Sequence, residues 1–122
     1  MNRIEEFTRG GKNIIYFDFS GFTTDKEFTD FIASAKIVVK KYPPDSIYTI
    51  TNVEDIKVSA NTHNIMSDWL AHNKPYVKSG TVYGADATSK IIGKTATIVS
   101  QRSNLAYVTS KEEAIDYLSK LA

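Results

Sequence analysis

Two strand–helix units fill the second half of the chain, and they limit its fold more than any other feature. Pro75 to Gly84 (PYVKSGTVYG) alternates around β-branched and aromatic residues and reads as a strand, and Ala87 to Ala96 (ATSKIIGKTA) reads as a helix. Asn104 to Thr109 (NLAYVT) repeats the strand pattern and Ser110 to Leu118 (SKEEAIDYL) closes with a helix. Units this short bury their apolar sides only by sharing one sheet, which predicts an α/β fold with helices packed on it.

The first half extends the pattern. Ile4 to Thr8 is a short strand, and Gly10 and Gly11 after it suit the positive φ of a tight hairpin turn. Asn13 to Phe19 (NIIYFDF) has the composition of a buried strand. Thr24 and Glu27 form a capping box. Phe28, Phe31, Ile32, Ala35, Val39 and Tyr42 then recur at helical steps until Pro43 and Pro44 end the helix. Ser46 to Asn52 is the next strand. A helix from about Ser59 to Asn73 turns Ile65, Met66, Trp69 and Leu70 inward and stops before Pro75. The strand Val77 to Tyr83 precedes a helix over about 87–101, in which Gly93 marks a close packing contact. Ser110 and Glu113 form a second capping box before the helix carrying Ala114, Ile115, Leu118 and Leu121. The predicted order is β-β-α-β-α-β-α-β-α: about five strands in one mixed sheet with four helices against it.

At 122 residues the chain fits a single domain, and 42% hydrophobic with 24% charged residues is an ordinary globular mixture. A net charge of +1 supplies no global field for nucleic acid or an anionic membrane. Lys90 and Lys94 share a helix face without interleaved aromatics, the pattern of a solvated surface. With no cysteine, disulfides and thiolate chemistry are excluded. The start, Met1 to Phe7, has acidic residues where a secretory signal would have its apolar core, and no apolar run reaches the roughly 20 residues of a membrane helix. The expectation is a cytoplasmic protein without membrane insertion.

Two segments carry a family resemblance: Asn73 to Gly84 (NKPYVKSGTVYG) and Tyr107 to Leu118 (YVTSKEEAIDYL). With the element order, they resemble the STAS-like fold of bacterial anti-sigma-factor antagonists, and most of all a small STAS-like family related to Sec14-type domains whose members mostly lack an assigned role. The resemblance implies a non-enzymatic regulatory or scaffolding module that acts by protein–protein contact. It also implies a phosphorylatable serine at the start of the helix after the central strand. Ser59 is the nearest match, although the Asp before and the Gly after that serine in the family are absent from Lys57-Val58-Ser59-Ala60.

Ser59 has two readings. As a helix N-cap its hydroxyl accepts a backbone N–H, worth about 1 kcal/mol. As a phosphosite it would carry nearly two negative charges to a positive helix end. The expected interaction surface is the loop from Val53 with Val58, Ser59, Asn61, Thr62 and Asn64. The alternative is a small-molecule binder, for a metabolite or lipid, with Tyr83, Gly84, Asp86 and Thr88 at a strand's carboxyl end, where open α/β sheets bind ligands. No cofactor or metal is expected: His63 and His72 lie nine positions apart and point to opposite sides of one helix. Catalysis through Asp18 or His63 ranks third. Asp18 in a buried strand calls for an ion-pair partner or an outward orientation. An exposed edge such as Ile4–Thr8 would also permit homodimerisation.

Overall fold

The computed structural model describes residues 3–57, 59–84 and 105–121. Strands β1 (Ile4–Arg9) and β2 (Lys12–Asp18) form a hairpin, followed by helix α1 (Asp25–Val39), strand β3 (Ile47–Asn52), helix α2 (Ala60–Asn73), strand β4 (Val77–Tyr83), strand β5 (Leu105–Tyr107) and helix α3 (Lys111–Ser119). The five strands stand in one sheet in sequence order, with β1 antiparallel to β2 and the rest parallel. This is the predicted mixed sheet, with three helices among the described residues. The helix expected over 87–101 lies outside them, as do Lys90 and Lys94.

The turn chemistry works as the sequence requires. Gly10 and Gly11 take φ of 60° and 78° and leave Arg9 paired with Lys12 across a two-residue loop. At Thr24 the capping box closes, with the Thr24 hydroxyl receiving the Glu27 N–H and the Glu27 carboxylate receiving the Thr24 N–H. The Ser110 cap differs in one respect. Its hydroxyl accepts the Glu113 N–H, but the Glu113 carboxylate reaches back one residue further, to the N–H and hydroxyl of Thr109.

Alternation along the strands divides the core between the two faces of the sheet. Ile15, Phe17, Phe19, Ile47 and Val77 meet Phe28, Ile32, Ala35 and Val39 of α1 and Met66 and Trp69 of α2. Phe17 and Trp69 pack edge to face with ring centres 5.1 Å apart. Ile14, Tyr16, Tyr48, Ile50 and Tyr83 face the other way, beneath Ala114 and Leu118 of α3. The short helix α3 lies over β3 and β4.

Asp18 is half-buried and paired, as its place in a buried strand demands. Its carboxylate accepts the Ser20 N–H at 2.9 Å and lies 3.8 Å from Arg3. The Arg3 guanidinium also donates to the carbonyls of Asp18 and Ser20 and stacks 4.6 Å from the Phe22 ring centre. His63 and His72 are both half-buried, with Nε2 enclosed. His72 stacks on Trp69, three residues back on the same side of α2, and on Tyr76 in the turn that follows the helix. No helix among the described residues is long and apolar enough to cross a membrane.

Candidate functional site

The carboxyl ends of β2, β3 and β4 and the amino ends of α1 and α2 converge on one edge of the molecule. The loops there are stitched by main-chain bonds: Phe19 N–H to the Asn52 carbonyl at 2.8 Å, Gly21 N–H to Glu54 at 2.9 Å, Lys57 N–H to Phe22 at 2.9 Å and Val53 N–H to Tyr83 at 2.9 Å. Backbone donors satisfied in this way hold both loops in one conformation.

Asp25, the first residue of α1, ties the two helix starts together. Its carboxylate accepts from Asn61 Nδ2 at 3.0 Å, Thr62 Oγ1 at 3.0 Å and Ser59 Oγ at 3.3 Å. Ser59 is the N-cap of α2 and completes a capping box with Thr62: the Thr62 N–H donates to the Ser59 hydroxyl and the Ser59 N–H to the Thr62 hydroxyl. Asn61, then Thr62, then Ser59 hold the Asp25 carboxyl below its ordinary range, because each hydrogen-bonds its ionised form. The carboxylate thus lies beside the amino end of α2, held by side chains of its first turn, where the helix dipole favours negative charge.

The expected interaction surface is partly rearranged. Ser59, Asn61 and Asn64 are exposed, but Thr62 is 1% exposed and its hydroxyl is committed to Asp25, so it supports the surface from beneath. Val58 lies outside the described residues. Behind Asn64, α1 and α2 leave an open groove of about 420 Å³ with Thr29, Ile32, Ala33 and Ile65 in its walls. The Lys36–Asp68 ion pair, 2.9 Å, closes its far end.

Two of the strand-end pocket residues, Tyr83 and Gly84, are described. Tyr83 is 7% exposed, and its hydroxyl meets that of Tyr16 at 2.9 Å, while Asn52 Nδ2 donates to Tyr16 at 3.1 Å. Gly84, at φ +81°, leaves no room for a Cβ beside Glu54 and Asn52. Among the described residues the five strands run in sequence order. Asp86 and Thr88 lie outside the described residues.

Burial, then the Tyr16 hydroxyl, raises the Tyr83 phenol above its ordinary range, so it serves as a neutral hydrogen-bonding group. Burial and the Glu6 carboxylate, which accepts its hydroxyl at 2.6 Å, push Tyr42 up to about 12. Unfolded tyrosine ionises near pH 10. The unfolded chain therefore releases protons above that pH which the folded chain retains, and stability is full below about pH 10 and falls above it. Urea midpoints at about pH 9 and about pH 11 check this sign; Tyr42→Phe reduces the fall, and Tyr83 carries the remainder.

Among the described residues no group of three or more His, Asp or Glu side chains is placed to hold a metal ion. Sequence reasoning found Ser59 as a cap but missed Asp25, whose one local signal is its place in the first helical turn after Thr24. Tyr16 and Asn52 were read only as strand residues. In comparisons with known proteins, no family model and no curated protein matches the chain.

Proposed function

We propose that the chain is a STAS-like, non-enzymatic regulatory or scaffolding module that binds a partner protein on the α1–α2 face. The observation that carries this reading is the Asp25 junction. It locks two helix starts side by side, so that exposed Ser59, Asn61 and Asn64 stand next to an open groove containing Ile32, Ala33 and Ile65. Apolar floor, polar rim and fixed backbone are what a protein-binding surface needs, since a surface ordered in advance loses less entropy on binding.

Ser59 is the regulatory position in this reading. Its hydroxyl proton points at Asp25, so a phosphoryl group there sets two negative charges against a carboxylate and drives the helix starts apart.

Site-specific photocrosslinking tests the face. A photoreactive residue at Ala33 is expected to trap one protein partner stoichiometrically in source cells, whereas the same residue at Glu112, exposed on α3, traps none. Ser59→Ala, losing about 1 kcal/mol of cap, leaves the adduct intact, and Ser59→Asp reduces it. Equal or absent trapping at Ala33 and Glu112 overturns the assignment.

A further inference from the structure

The hairpin register shows which backbone groups of β1 remain open. Arg9 and Lys12 flank the two-residue turn, and the Asp18 N–H donates to the Arg3 carbonyl at 2.8 Å. Antiparallel ladders alternate between bonded and non-bonded pairs. Arg3, Glu5, Phe7 and Arg9 therefore turn their N–H and C=O groups toward β2. Ile4, Glu6 and Thr8 turn theirs outward, where no other strand pairs with them among the described residues.

We propose that this edge joins a second copy of the chain, β1 against β1 antiparallel about a two-fold axis, with Phe7 facing the Phe7 of its twin. The side chains select that register. It places Glu5 opposite Arg9 of the twin and Arg9 opposite Glu5 on the α3 side, and Glu6 opposite Thr8 on the α1 side. Opposite charges and aromatic pairs across strands are stabilising. Sliding the copies one way brings Glu6 against Glu6, and a further step brings Glu5 against Glu5, so slips in that direction are penalised by like charges; sliding the other way sets Thr8 against Thr8 and gives up both Glu5–Arg9 pairs.

The surroundings agree with this arrangement. Arg9 is exposed and has no carboxylate partner among the described residues; its guanidinium lies 5.5 Å from the Phe7 ring centre. Glu5 already holds Lys111 at 2.6 Å, so the incoming Arg9 completes a charge row rather than breaking a pair. Phe7 is only half-buried and borders an open hollow of about 300 Å³ with Ile115 and Lys111, which the twin's Phe7 ring would cover. The contact is isologous and closes after two copies, because each chain offers this edge once.

Sedimentation equilibrium of the unmodified chain tests the proposal directly: a mass twice that of the chain is expected at high concentration. Thr8→Pro deletes an outward N–H and spares the β1–β2 bonds, since proline is tolerated on an edge strand whose N–H faces solvent. It is expected to leave a folded monomer with an unchanged urea midpoint. Arg9→Glu is expected to weaken the dimer by about tenfold.

The absence of cysteine makes the register readable as well. In Phe7→Cys the two introduced thiols face each other across a non-bonded pair with Cα atoms about 4.5 Å apart, within disulfide reach. Mild oxidation is expected to link that variant into a dimer and to leave Glu6→Cys unlinked. A monomer at every concentration overturns the proposal, as does linkage at Glu6→Cys without linkage at Phe7→Cys. If Phe7→Cys fails to fold, sedimentation of the unmodified chain and of Thr8→Pro still decides.

Discussion

Replacing Phe19 with alanine is expected to lower the unfolding free energy by about 4 kcal/mol, the usual cost of emptying a buried phenylalanine site. Phe19 is wholly buried, and its ring centre lies 4.8 Å from that of Phe31, 5.9 Å from Phe22, 6.0 Å from Phe28 and 6.4 Å from Trp69. It is the point where the carboxyl end of β2, the following loop, α1 and α2 meet, so its neighbours cannot collapse into the void without moving several elements. A domain of this size holds about 5–15 kcal/mol in total. One substitution thus removes a large share, and the loss reads as a lower urea midpoint at unchanged slope. Ile37→Ala on the outer side of α1, where Ile37 is 69% exposed, is expected to stay within about 0.5 kcal/mol. Equal effects at the two positions would mean that the aromatic cluster is not packed as described.

The second large effect is expected at Gly84. A Cβ there would stand 2.1 Å from Glu54 Cγ, 2.8 Å from the Glu54 nitrogen and 3.0 Å from Asn52 Oδ1, and φ is +81°. Left-handed backbone costs an ordinary residue about 1–2 kcal/mol, and forced overpacking typically adds 1–3. Gly84→Ala is therefore expected to cost about 3 kcal/mol by denaturant titration. Adding Glu54→Ala separates the causes. It removes the flexible Cγ but leaves the Glu54 nitrogen and the backbone strain, so it should restore part of the loss and not all of it. Full rescue would show that the side-chain clash alone requires glycine.

Much of this structure was legible locally. The Thr24 capping box, the paired glycines after Arg9 and the apolar steps from Phe28 to Val39 each depend on residues within a turn or two, and each forms as expected. The interior of the candidate site was not legible, because its contacts span long stretches of sequence. Asp25 meets Thr62 thirty-seven residues away, and Tyr16 meets Tyr83 at a separation of sixty-seven. Thr62 shows the difference well. Polar and near a helix start, it has the composition of a surface residue, and its burial is made tolerable by the Asp25 carboxylate on the neighbouring helix together with the Ser59 N–H. For the same reason Asn52 reads as a strand end, although it donates to Tyr16 and accepts the Glu54 N–H at 2.9 Å.

The unbroken strand order sets a timetable for the nascent chain. Each strand from β2 to β4 pairs with the one just before it, so the sheet can extend as residues leave the ribosome, with α1 and α2 closing one side as they appear. The other side must wait. Among the described residues, Ile14, Tyr16, Tyr48 and Ile50 are covered by Ala114 and Leu118, and the ties that seat α3 run from Lys111 to Glu5 and from Lys12 to the carbonyl of Ser119, across 106 and 107 residues. Until α3 forms, this side of the sheet therefore lacks the cover that Ala114 and Leu118 give it, and the shortest of the described helices closes it.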